Sequence, residues 1–166
     1  MKATVERISD GTDLLERPGD MILVQRGTDR LLVFKCPDGC GDTVPVNLDP
    51  RAGPAWRLYS RQDRSTLYPS VWRTDGCRAH FILWEDRIYW TGADHFEDDV
   101  DEGLVAAVER VLPKNAFKPF SDIAAELDEI PWATLVACER LVRQHIAEEG
   151  KGDFRGAFRR RIQNPG

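Results

Sequence analysis

The chain has 166 residues, 42 % of them hydrophobic, and its 28 acidic residues against 23 basic ones leave a net charge of −5. That length fits one domain with an appendage, the apolar share suffices for a core, and the acidic balance speaks against bulk attraction to nucleic acid. No apolar run is long enough to cross a membrane, and the opening MKATVERISDGTD lacks an apolar secretion core, so a cytoplasmic location is expected.

Strand signals come first. DMILVQRGTDRLLVFKC holds two apolar runs around Gly27-Thr28-Asp29, a hairpin pattern. DTVPVNL alternates apolar and polar residues, and PAWRLYSRQDRSTLYPSVW carries short aromatic segments broken by polar turns and Pro69. AHFILWEDRIYW predicts a hairpin turning at Glu85-Asp86. The composition then shifts. GADHFEDDVDE is acidic and reads as a solvated approach to a helix, with His95 inside it. GLVAAVERVL has helical spacing up to Pro113, SDIAAELDEI opens on Ser121 as a predicted N-cap, and PWATLVACERLVRQHIAEEG predicts a third helix ended by Gly150. In that helix Leu135, Val136, Cys138, Leu141, Val142 and Ile146 form the apolar stripe, which makes Cys138 a core residue. Strands followed by helices predict an α+β protein: a mainly antiparallel β domain over 1–92, a helical segment over 98–150, and a basic, flexible tail over 151–166.

Four cysteines ask for a separate explanation. Cys36 and Cys40 form C-x3-C around Pro37, Asp38 and Gly39, and Cys77 and His80 form C-x2-H. In a reducing compartment such pairs read as metal ligands before disulfides. Zinc takes four soft or borderline ligands in a tetrahedron, and two short knuckles supply them with little chain strain. Cys36, Cys40, Cys77 and His80 are therefore the expected Zn²⁺ ligands, with Zn²⁺ stabilising the β domain. Asp38 reads as a turn residue that could lend an oxygen. A thiol nucleophile at Cys77 with His80 as base would leave Cys36 and Cys40 unexplained.

FKCPDGCGD, STLYPSVW and CRAHFILWEDRIYW occur in that order. Together they resemble a bacterial domain family of unknown function with the pattern C-P-C-G-C-G, T-L-x-P-S-[IV], C-x-S-H-[FY]. The resemblance spans Leu31 to Trp90. It implies zinc binding through Cys36, Cys40, Cys77 and His80, and an association with bacterial ubiquitin-like conjugation and phage-defence systems. Asp38 stands where that pattern has its middle cysteine.

Ser70 matches the serine of the pattern. It reads first as a turn residue after Pro69; with His80 as base it would be a nucleophile. A zinc-bound His80 cannot also be a general base, so the two roles compete for one side chain. The reading placed first is a non-catalytic zinc-binding interaction module whose partners are proteins, components of a ubiquitin-like conjugation system. The alternatives are a hydrolase or peptidase using the metal or Ser70 with His80, and a zinc-stabilised DNA-binding protein using the basic residues Arg155 and Arg159 to Arg161.

Overall fold

The computed structural model describes residues 2–91 and 101–162, so His95 and most of the acidic stretch lie outside the described residues. The chain is α+β with mostly antiparallel sheets and divides into two compact units, 1–93 and 94–166.

The first unit is built from β-strands, with short 3-10 turns at Ile8–Asp10, Thr12–Leu14 and Pro50–Ala52. Strands β1 (Lys2–Val5), β2 (Met21–Arg26), β3 (Thr28–Lys35) and β4 (Thr43–Asn47) form one sheet in that order, with β1 parallel to β2 and the other pairs antiparallel. Both faces of this sheet are covered. Met21, Leu23, Leu32, Phe34, Val44 and Val46 pack into the main core, while Ile22, Val24 and Val33 pack with Leu15 on the other side. That double cover is why Met21–Val24 is continuously apolar instead of alternating.

Strands β5 (Arg57–Arg61) and β6 (Arg64–Tyr68) form a hairpin, and β7 (Val71–Trp72), β8 (His80–Trp84) and β9 (Arg87–Trp90) form a sheet in the order β7-β8-β9. Both hairpins turn on two residues with positive φ, Gln62-Asp63 and the expected Glu85-Asp86, a geometry that matches the strands' twist. The hairpins are tied together: Asp86 N–H donates to the Ser65 carbonyl at 2.9 Å and Glu85 N–H to Thr66 Oγ1 at 3.0 Å. Phe34 meets Phe81 edge to face at 5.4 Å, joining the four-stranded sheet to β8.

Asp49, buried just after β4, accepts from the Arg51 backbone N–H at 3.1 Å and Nε at 2.8 Å, and from Arg30. These donors, Arg51 foremost, hold its carboxyl well below the usual carboxylate range. A depressed native pKa contributes stability above the unfolded value, about 3.9, and loses it as pH falls through the native one. Unfolding of Asp49→Asn, followed by denaturant titration from about pH 5 to pH 2, is therefore expected to depend on pH less steeply than unfolding of the parent chain.

The second unit runs α1 (Glu102–Val111), β10 (Lys118–Pro119), α2 (Phe120–Leu127), α3 (Pro131–Arg143), β11 (Ala147–Glu149) and β12 (Ala157–Arg160), with sheet order β10-β12-β11. This is a helix-turn-helix flanked by a β wing. Val136, Cys138 and Leu141 of α3 are buried as the stripe required, and Ala137 is buried with them. Burial pushes the Cys138 thiol up to about 12.

Three details differ from the sequence reading. The α2 N-cap is Pro119, because Phe120 N–H donates to the Gly156 carbonyl at the end of β10, and Ser121 lies inside the helix. The third helix stops at Arg143, not Gly150: His145 takes φ 60°, and Ala147–Glu149 leave the helix to pair with β12. The expected flexible tail contributes β12, whose Ala157 and Phe158 are buried.

Candidate active site

The register around β8 arranges the site. Val71 pairs with Phe81 and Trp72 with His80, while Phe81 pairs with Trp90. Thr91 N–H donates to the His80 carbonyl at 3.1 Å, so the backbone groups of His80 face β9. Arg73 N–H donates to the Ala79 carbonyl at 2.9 Å. Hydrogen-bonded and non-hydrogen-bonded pairs alternate in an antiparallel ladder, so Trp72 and His80 form a non-hydrogen-bonded pair, the kind that brings side chains closest. Their rings stack, with centroids 5.6 Å apart and planes at 25°.

Side chains two apart share a face. Ser70 therefore projects on the face of Trp72 and His80, while Val71, Ala79 and Phe81 point into the core. Ser70 Oγ lies 3.0 Å from His80 Nε2. Trp56 Nε1 donates to the Ser70 carbonyl at 3.2 Å and fixes that residue's backbone. Both Ser70 and His80 are half-buried. With its proton on Nδ1, His80 can accept the Ser70 hydroxyl proton at Nε2; this is the geometry of a nucleophile and its general base.

A second cluster lies at the end of β3 and in the loop between β7 and β8. Ligand atoms of Cys36, Asp38, Cys40 and Cys77 all lie within 4.8 Å of one another. The turn is closed by Cys36 N–H to the Asp42 carbonyl at 2.9 Å and by Cys40 N–H to Asp38 Oδ1 at 2.8 Å, with Gly39 and Gly41 both at φ 87°. The Cys40 N–H holds the Asp38 carboxyl well below its usual range, ready as an anion. The Cys36 and Cys77 sulfurs are 3.6 Å apart. Zn–S bonds of about 2.3 Å in a tetrahedron place sulfurs roughly 3.8 Å apart, close to the Cys36–Cys77 separation, and three thiols and a carboxylate this near one another could hold a metal ion.

Arg73 caps this cluster. Its Nη1 lies 3.2 Å from Cys77 Sγ, 3.3 Å from Cys40 Sγ and 3.7 Å from Cys36 Sγ, and Nη2 pairs with Asp42 at 3.0 Å. A guanidinium so placed favours thiolates, the form that binds metal, but burial outweighs it at Cys36 and holds that thiol above its ordinary range. Gly76 makes room for it: a Cβ there would meet Arg73 Nη2 at 2.9 Å, and φ is 60°. Gly76→Ala is expected to destabilise the first unit by about 1–2 kcal/mol, mostly from the left-handed backbone, read as a lower midpoint in urea.

The expected ligands divide. Cys36, Cys40 and Cys77 come together; His80 does not join them, and Asp38 stands fourth. The physical reason is strand alternation: Cys36 and Cys77 adjoin the core beside Ala79 and Phe81, whereas His80 projects from the opposite face onto Ser70. The imidazole beside Ser70 and the grouped thiols are thus different residues. Arg73 and Trp72 went unnoticed in the sequence. Their signals were position: Arg73 lies three residues after Ser70, and Trp72 alternates with it.

A half-buried Ser–His pair and a thiol cluster thus stand on one small β scaffold. The model of a family described as bacterial ubiquitination-like system serine protease (BubE) matches residues 5–91, just over half of the chain, and the chain belongs to that family. No curated protein and no solved structure matches it.

Proposed function

We propose that the chain is a serine protease of a bacterial ubiquitination-like system, with Ser70 as nucleophile and His80 as general base. The 3.0 Å contact between Ser70 Oγ and His80 Nε2 carries this reading over the non-catalytic interaction module. The family's description supports it. Ser70 Oγ adds to the substrate carbonyl carbon while its proton passes to His80 Nε2. The C–N bond then breaks, the leaving amine takes that proton, and water, deprotonated by the same nitrogen, releases the acyl group from Ser70. The partners under this reading are protein components of the conjugation system. The test is labelling by a fluorophosphonate probe together with peptide hydrolysis, in the parent chain and in Ser70→Ala.

The Cys36, Asp38, Cys40 and Cys77 group is, in the same proposal, a structural zinc site. When bound, zinc supplies cross-linking between two loops and no step of the reaction. Two residues separate Arg73 from Ser70 and two separate Cys77 from His80, so fixing the cluster and the arginine that caps it fixes both reacting side chains.

The nucleic-acid alternative has less support. Among the described residues α3 exposes no side chain fully before Arg143, and Pro131–Val136 is apolar apart from Thr134, a poor surface for reading base edges.

A further inference from the structure

Strand β7 is an edge. In the order β7-β8-β9 it has a neighbour on one side only, and it is two residues long. The alternation fixed by Thr91 N–H to His80 and Arg73 N–H to Ala79 turns the N–H and carbonyl of Trp72 away from β8. On that outer side the Ser70 carbonyl is occupied by the Trp56 indole, whereas among the described residues no partner meets the Trp72 backbone. Trp72 is 65 % exposed, the most exposed large hydrophobic among the described residues, and one face of its ring already lies against His80. An exposed indole and an unpaired donor–acceptor pair thus stand two residues from the nucleophile, on the same strand.

We infer that the substrate is bound as an extended polypeptide segment that adds to the outer edge of β7 through the Trp72 N–H and carbonyl, bringing its scissile carbonyl onto Ser70. This rests on the proposed Ser70–His80 chemistry and specifies its substrate class. Strand addition satisfies the edge's donor and acceptor with main-chain groups, and side chains at alternate substrate positions meet the protein. A folded region cannot lie along a two-residue edge in this way; a tail or unstructured linker can. Trp72 supplies an apolar wall for the substrate side chain nearest the cut.

Trp72→Ala and Trp72→Pro separate the backbone from the ring. Both lose the indole, and only proline loses the N–H; proline is tolerated at an edge and keeps the preceding residue extended. Fluorophosphonate labelling of Ser70 reports an intact dyad, and cleavage of a quenched-fluorescence library of randomised decapeptides reports substrate use. The expected result is equal labelling of the two variants, with kcat/KM on the library about fivefold or more lower in Trp72→Pro, the loss lying in KM. A second measurement needs no variant: the best-cleaved decapeptide is remade with one N-methylated amide at a time. Cleavage by the parent chain should fall at alternate positions beside the cut and hold at those between. Equal cleavage by the two variants, or an N-methyl profile with no alternation, would overturn strand addition while leaving the dyad in place. Labelling that falls together with cleavage in Trp72→Pro would also overturn it, because the N–H would then serve the reaction. A parent chain that is not labelled would remove the dyad, and this inference with it.

Discussion

Ser70→Ala is expected to lower peptide hydrolysis on the order of 10³-fold or more and to leave the fold intact. Two arguments set this expectation. Among the described residues the hydroxyl is the one oxygen hydrogen-bonded to His80 Nε2, so removing it deletes the proposed nucleophile while the imidazole and its stack on Trp72 remain. The group lost is small and half-buried, and its partner keeps access to water, so the stability change should stay within about 1 kcal/mol. His80→Gln should lose activity to a similar extent, since an amide cannot take the proton. Circular dichroism and thermal unfolding check the fold; peptide hydrolysis checks the chemistry. A folded Ser70→Ala chain with undiminished hydrolysis would transfer the activity to another group.

The second large effect belongs to the thiol cluster. Cys36→Ser is expected to lose bound metal and to lower the thermal midpoint by more than about 10 °C. Cys36 is fully buried beside Phe34 and Phe81, and its sulfur faces Cys77. Structural zinc sites contribute on the order of 10 kcal/mol to small domains, and a chelator should reproduce the loss. Cys138→Ser is the control: Cys138 is buried in α3 of the second unit and is not one of the cluster's residues, and its variant should keep the metal. Activity should fall with the metal in Cys36→Ser, because His80 is three positions after Cys77 of the cluster and Ser70 three positions before Arg73, which caps it. Metal content by mass spectrometry, read beside unfolding curves, checks both halves. A Cys36→Ser chain with unchanged metal and midpoint would remove the structural role.

Local patterns made much of the fold legible. The Glu85-Asp86 turn, the strands on either side of it and the α3 stripe through Val136, Cys138 and Leu141 all follow from periodicity and turn chemistry. Boundaries that depend on partners distant in sequence did not follow. Ala147–Glu149 continues a helical pattern, yet β12 draws it into a sheet. The thiol cluster was legible because C-x3-C beside glycines specifies a tight turn. The placement of His80 was not. Spacing from Cys77 counts residues without saying which face of β8 each one takes, and one step along a strand reverses that face. His80 begins β8, where the ladder with β7 hands it to Ser70 and Trp72. Asp38 was visible as the residue replacing a cysteine of the pattern; its place in the cluster needed the turn that folds Cys40 back upon it.

The most direct test is to label the parent chain with a fluorophosphonate and map the adduct by peptide mass spectrometry, with His80→Gln beside it. The account predicts a single adduct on Ser70, strongly reduced in His80→Gln. An adduct on another residue, or labelling of Ser70 that is indifferent to His80, would contradict a Ser70–His80 active site.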